Sequence, residues 1–130
     1  MYVLDTNTLI YFFKGMGNVA GNLLATAPRD IAIPAVVLFE LEVGIQKSKA
    51  PHKRREQLAS LINLVQILPF GKEEAKAAAR IRADLEKLGY PIGPLDNLIA
   101  GTAHARQATL ITHNVKEFQR IKGLAVQDWY

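Results

Sequence analysis

The chain has 130 residues, 49% of them hydrophobic, no cysteine and a formal net charge of +4. That length suits one domain over residues 1–130 with a core of its own, and the apolar content excludes a disordered chain. The lack of cysteine excludes disulfides, thiolate metal ligands and a cysteine nucleophile, and no apolar run approaches the ~20 residues of a membrane span.

Residues 2–5, "YVLD", read as a short buried strand closed by polar turn formers. "TLIYFF" continues as a helix packed on a sheet, and residues 18–27 as a second helix, with Gly15 and Gly17 in the gap. "DIAIP" (30–34) is a strand that Pro34 stops, because proline donates no ladder hydrogen bond. From Pro34 to about Lys47 the pattern turns helical, with Val37, Leu38, Leu41 and Ile45 in one stripe. A further helix runs from about His52 to Leu64, with Leu58, Leu61 and Ile62 on one side. "VQILPF" (65–70) is a third strand. Residues 72–89 form the strongest helix, rich in alanine and straight side chains and stopped by Gly89. Its expected buried face is Ala78, Ile81, Leu85 and Leu88. Residues 93–108 are another helix, with Pro94 near its start; "TLIT" (109–112) is a strand, "KEFQRI" a short helix and "LAVQDW" a last strand.

Strands alternating with helices predict an α/β fold, a mainly parallel central sheet flanked by helices in three layers. In such sheets ligands bind outside the carboxyl ends of the strands. Asp5 stands at one such end, and Thr112, followed by His113 and Asn114, at another.

Four acids come from separate elements. Asp5, between strand and helix, is an ordinary N-cap taken alone. Glu40 would sit among Val36, Val37, Val43 and Gly44 on its helix, and periodicity does not separate it from an exposed role shared with Glu42. Asp96 is third in its helix, where an acid complements the dipole. Glu117, five residues past Thr112, would as plain surface pair with Lys116 or Arg120 for little gain. Gathered at one edge, the four would repel unless a cation neutralised them. All-oxygen ligands suit Mg²⁺ or Mn²⁺, and such a site polarises a phosphodiester and lowers the pKa of a bound water. Metal-dependent phosphodiester hydrolysis is the chemistry this pattern points to. The basic balance is permissive for a polyanion. Five of the 16 basic residues lie in residues 47–56, "KSKAPHKRRE", which reads either as a solvated loop or as part of a phosphate-binding rim.

"LDTNTLIYFF", "FELEVGIQKS", "GYPIGPLDNLIAGTAHA" and "TLITHNVKEFQRIKGL", in this order, resemble a PIN-domain ribonuclease and, more closely, the VapC toxins of bacterial toxin–antitoxin modules. The resemblance covers essentially the whole chain. It implies that Asp5, Glu40 rather than Glu42, Asp96 and Glu117 are the catalytic, metal-binding acids, and that Thr6, Asn7, Thr112 and Asn114 are polar residues supporting them. Two departures stand out: many relatives carry Asp where this chain has the longer Glu117, and Arg or Asn where it has His113. Lys47, Arg54, Arg82 and His113 are the candidates for holding RNA, although Arg82 also reads as a snorkelling, partly buried side chain and His113 as plain surface. The implied activity is Mg²⁺- or Mn²⁺-dependent endonucleolytic cutting of a structured RNA, leaving 3′-hydroxyl and 5′-phosphate ends. Initiator tRNA, cut in the anticodon stem-loop, is the expected target. The implied partners are a second copy of the chain and a cognate VapB antitoxin, with operator DNA bound only through the antitoxin complex. The N-terminus lacks the basic-then-apolar pattern of a signal peptide, so a cytoplasmic protein without membrane attachment is expected.

Two other readings are open. "LDTNT" resembles the first motif of haloacid-dehalogenase phosphatases, but Asn7 replaces the second acid that protonates the leaving group. A non-catalytic module binding RNA or protein would be expected to have lost at least one of the four acids.

Overall fold

Five stretches of three or four residues form the strands β1 (Tyr2–Leu4), β2 (Ile31–Pro34), β3 (Gln66–Leu68), β4 (Thr109–Ile111) and β5 (Ala125–Gln127) in a computed structural model that describes residues 1–130. They lie in the order β3-β2-β1-β4-β5, and every neighbouring pair is parallel. Parallel neighbours cannot be joined by a tight hairpin, so each connection crosses over a sheet face. The crossovers carry α1 (Thr6–Lys14), α2 (Val19–Leu24), α3 (Ala35–Lys47), α4 (Pro51–Ile62), α5 (Lys72–Leu88), α6 (Pro94–Ala105) and α7 (Val115–Phe118). The α/β sheet covered by helices is as the sequence predicts, and wholly parallel rather than mainly so.

The three inner strands are buried on both faces, and Val3, Leu4, Ala32, Ile33, Leu110 and Ile111 are fully inaccessible. Apolar stripes of the helices close over them, with Leu9, Val37, Ile45, Ile81, Leu85 and Ile99 in the same core. At ~25 cal/mol per Å² of apolar area removed from water, such burial is the main force holding the layers together.

Several element ends moved, among them that of α7, expected over 116–121 and found at Val115–Phe118, and of α4, expected to reach Leu64 and ending at Ile62. The helix expected to reach residue 27 ends at Leu24, because Pro28 opens a 3-10 turn and holds Ala27 extended. The helix expected to reach residue 108 ends at Ala105, where Gln107 turns through a left-handed conformation into β4. The buried stripe of α5 stops at Leu85: Leu88, expected inside, is 62% exposed in the last turn.

The α5–α6 pairing positions the site. A Cβ on Gly101 would come within 2.6 Å of the Ala78 Cβ and 2.8 Å of its backbone, so the two helices touch at a point only glycine allows. Beside it the Asn97 side-chain amide donates to the Ala78 carbonyl at 2.8 Å. These contacts fix the rotation of α6 and the direction of Asp96, one residue before Asn97. From β1 the chain builds β2 and β3 to one side and β4 and β5 to the other. The order reverses between β1 and β4, where open α/β sheets present a crevice beyond the strand ends.

Candidate active site

At that crevice the backbone N–H of Asp5 donates to the Ile111 carbonyl at 3.1 Å, extending the β1–β4 ladder by one residue. Asp5 is buried and caps α1, its Oδ1 accepting from the Thr8 N–H at 2.9 Å. The Thr8 hydroxyl donates to the Ile111 carbonyl at 3.2 Å and ties the helix start to β4. The capping role foreseen for a lone Asp is therefore real, and it aims the carboxylate at the crevice. Burial raises the Asp5 pKa above the usual carboxylate value; hydrogen bonding from Thr112 and Thr8 opposes the rise, and the negative charge of Asp128 adds to it.

Glu40 reaches the same edge from α3, half-buried, with Oε1 accepting from the Thr6 hydroxyl at 2.6 Å. Glu42 is exposed. Asp96 enters from the first turn of α6. Its pKa is pushed up to about 6, first by burial and then by the charges of Asp5, Glu40 and Glu117. Glu117 comes from α7, its Oε2 accepting from the Asn114 side-chain amide at 2.6 Å, while the Asn114 N–H donates to the buried Thr112 hydroxyl at 3.0 Å. The carboxylates of Asp5, Glu40 and Glu117, from three other elements, thus all bear on that of Asp96.

No cation answers them. The ion pairs of the protein are His52–Glu56, Arg82–Glu86, Arg106–Glu74 and His113–Asp128, and none includes Asp5, Glu40, Asp96 or Glu117. The acids face one another without closing onto one point: no three are spaced as ligands of a single ion. Thr6 and Asn114 each engage one oxygen of a glutamate and leave the other free. An all-oxygen, cation-free donor set of this kind has the chemistry of a hard divalent ion's site.

The four polar residues expected beside the acids make different contacts. Thr6 serves Glu40 rather than Asp5, because its side chain projects from the first turn of α1 toward α3. Asn7 is exposed and does not brace Asp5; Thr8 does. Thr112 and Asn114 form the relay to Glu117. Sequence reasoning passed over Asp128. It lies beyond β5, which is hydrogen-bonded to the β4 end through the Thr112 N–H and Gln127 carbonyl at 2.9 Å, and only that strand order reveals its nearness to Asp5.

The basic candidates scatter. Arg54 lies over the Phe13 ring at 5.3 Å and donates to Gln57 at 2.6 Å. It shares a groove of about 410 Å³ with Glu40, Gly44, Lys14 and Lys53, two of these cations being additions to the sequence-based set. Lys47 is exposed in the last turn of α3, outside that groove. Arg82 does not snorkel: its side chain is 66% exposed and paired with Glu86 at 3.3 Å. It lines a larger cavity of about 580 Å³ between α5 and α6, which contains none of the four acids. His113 is exposed at the β4 end.

The PIN domain family model matches residues 2–124. The chain is 33% identical over 128 residues to "tRNA(fMet)-specific endonuclease VapC" of Salmonella typhimurium, covering 98% of this chain and 97% of the relative. It is 37% identical over 131 residues to "Ribonuclease VapC2" of Rickettsia felis, covering 99% and 98%. Among solved structures, VapBC2 from Rickettsia felis bound to a DNA fragment from its promoter superimposes with a TM-score of 0.92 at 36% identity, covering 99% of this chain and 98% of that one. DNA-bound VapBC from Salmonella typhimurium gives 0.92 at 33%, with the same coverage.

Proposed function

The chain belongs to the PIN-domain family and to its VapC-type ribonuclease toxins, and from that premise we propose that its single domain, residues 1–130, cuts structured RNA with the help of Mg²⁺ or Mn²⁺. The observation that carries this reading is the set of four acids without a cation partner, in which burial and then the charges of the other three raise the pKa of Asp96.

Asp5, Glu40 and Asp96 would hold the cation, directly or through waters, with Glu117 reaching it only through water. When bound, the divalent ion supplies stabilisation of the charge that develops on the phosphodiester. The protein's own residues do the rest. Thr8 and Thr6 fix Asp5 and Glu40 by one oxygen each. Asn114 fixes Glu117 by Oε2, which leaves Oε1 to orient the attacking water. Lys14, Lys53 and Arg54, in the groove that Glu40 also lines, carry the RNA backbone toward the acids. A phosphatase mechanism would need a proton donor at residue 7, and Asn7 supplies none.

The relatives named for tRNA(fMet) support initiator tRNA as the substrate, cut in the anticodon stem-loop to leave 3′-hydroxyl and 5′-phosphate ends. The VapBC complexes among the similar structures support a cognate VapB-type antitoxin as the silencing partner. A cytoplasmic homodimer that meets operator DNA only through that antitoxin completes the reading. The test is to mix antitoxin-free protein with purified initiator and elongator tRNAs in Mn²⁺. One cut in the initiator species, absent in EDTA and in Asp96→Asn, is expected. Intact initiator tRNA would overturn the substrate, and no cleavage of any RNA would overturn the activity.

A further inference from the structure

Beside the acid cluster stands a group of rings that the cleavage chemistry does not use. His113 follows Thr112 at the β4 end and stacks on Tyr130, with ring centroids 4.3 Å apart and planes 28° from parallel. Tyr11 packs edge-on against both, at 5.8 Å from His113 and 5.0 Å from Tyr130. The imidazole is not free to turn: its Nδ1 is 2.9 Å from Asp128 Oδ2. Tyr130 is held as firmly. Its N–H donates to Asp128 Oδ1 at 2.8 Å, its carbonyl accepts from the Asn18 N–H, and Gly17 gives its ring room that a Cβ, at 2.8 Å, would fill.

This stack is fixed and yet open. The His113 side chain is 47% exposed and Tyr130 38% exposed. Aromatic rings that serve only the core are hidden, as Trp129 is one residue away at 6%. The group also adjoins the chemistry. Tyr11 is one helical turn beyond the exposed Asn7 on α1, and residues four apart share a helix face. Asn7 is two residues from Asp5, and Asp128, which braces both rings, is close enough to bear on Asp5. A strip therefore runs from the buried acid past an exposed amide to a rigid aromatic surface.

We propose that the His113–Tyr130 stack, held by Asp128 and buttressed by Tyr11, is a platform on which an unpaired nucleobase of the RNA stacks beside the scissile phosphate. It rests on the ribonuclease reading and adds to it the element that positions the substrate. Exposed aromatic faces grip single-stranded nucleic acid without regard to sequence, because every base has a π-face. Paired bases in an A-form stem are stacked already and cannot use such a surface. The platform thus selects a loop or bulge nucleotide at the site, and the free amide of Asn7 lies between it and the acids. His113 and Tyr130 act as positioning residues, not as proton carriers.

The test separates binding from cutting. A short single-stranded RNA carrying 2-aminopurine is titrated with protein in EDTA, where the platform acts and the acids do not cut. Stacking predicts quenching of the probe by the wild type. His113→Ala should weaken binding about 5- to 150-fold, the range expected for one base–aromatic contact; His113→Tyr should restore it, and Tyr130→Leu should lose it again. The same probe within a duplex should bind without added quenching. In cleavage assays with Mn²⁺, His113→Ala should raise KM more than it lowers kcat. Unquenched 2-aminopurine with the wild type, or equal affinity for wild type and a folded His113→Ala, would overturn the platform even if RNA is cut. Quenching that needs His113, in a protein that cuts no RNA, would uphold the platform and reject the ribonuclease reading instead.

Discussion

Replacing Asp96 with Asn should stabilise the metal-free protein, and only above the pH at which Asp96 ionises. Burial, with the neighbouring acids, pushes its pKa up to about 6 in the fold, against 3.8 for an unperturbed aspartate. A raised acid binds its proton more tightly folded than unfolded, so the folded state is penalised as pH climbs from about 4 through 6, and the full penalty holds above that. The difference corresponds to ~3 kcal/mol at face value. Asp96 is only half-buried, so solvent screening reduces this to about 1–2 kcal/mol. An ionised acid in the first turn of α6 also gains ~0.3–1 kcal/mol from the helix dipole, which Asn forfeits. A net stabilisation of about 1 kcal/mol at pH 8 remains, or roughly 3–5 °C in Tm for a chain of this size. Thermal melts of wild type and Asp96→Asn in EDTA, at pH 4 and pH 8, measure it. The gain should appear at pH 8 and vanish at pH 4. An Asn variant less stable at pH 8, or the same difference at both pH values, would refute the claim that these acids repel one another across one site.

Other outcomes follow from the same geometry. Mn²⁺ at a hundred times its Kd should stabilise the wild type by about 2.7 kcal/mol, and the rise in Tm should shrink in Asp96→Asn, as differential scanning fluorimetry would show. Thr6→Val removes the hydroxyl that holds Glu40, and should weaken Mn²⁺ binding about 10- to 100-fold in a calorimetric titration with little change in fold. Gly101→Ala places a methyl against the Ala78 backbone, where no flexible side chain can yield, and should cost about 1–3 kcal/mol in a urea denaturation midpoint.

The alternation of elements was legible because it depends on local pattern: short apolar runs bounded by turn formers make the strands, and alanine-rich spacing makes α5. The choice between Glu40 and Glu42 was not legible from periodicity. Residues two apart on a helix point different ways, and which way is inward depends on α1 lying against α3, whose Thr6 meets Glu40. Only the family motif chose between them. Leu88 misled because the apolar stripe of a helix says nothing about where its covering layer ends. Asp128 and the His113–Tyr130 stack could not be seen at all. They arise because β5 docks beside β4, a pairing between residues far from Asp5 in the chain. Thr6 and Asn7 were grouped by adjacency, whereas the helix turns one to Glu40 and the other to solvent.

The most direct test of the account is the mapping of new 5′ ends after antitoxin-free protein meets total bacterial RNA. Wild type and Asp5→Asn are compared side by side, each in Mn²⁺ and in EDTA. Asparagine still accepts the Thr8 N–H and still caps α1, so the variant keeps its fold and loses only a charge from the acid cluster. The account predicts discrete 5′-phosphate ends in the wild type with Mn²⁺ and none in the other three reactions. The same ends from Asp5→Asn, or from wild type in EDTA, would contradict it.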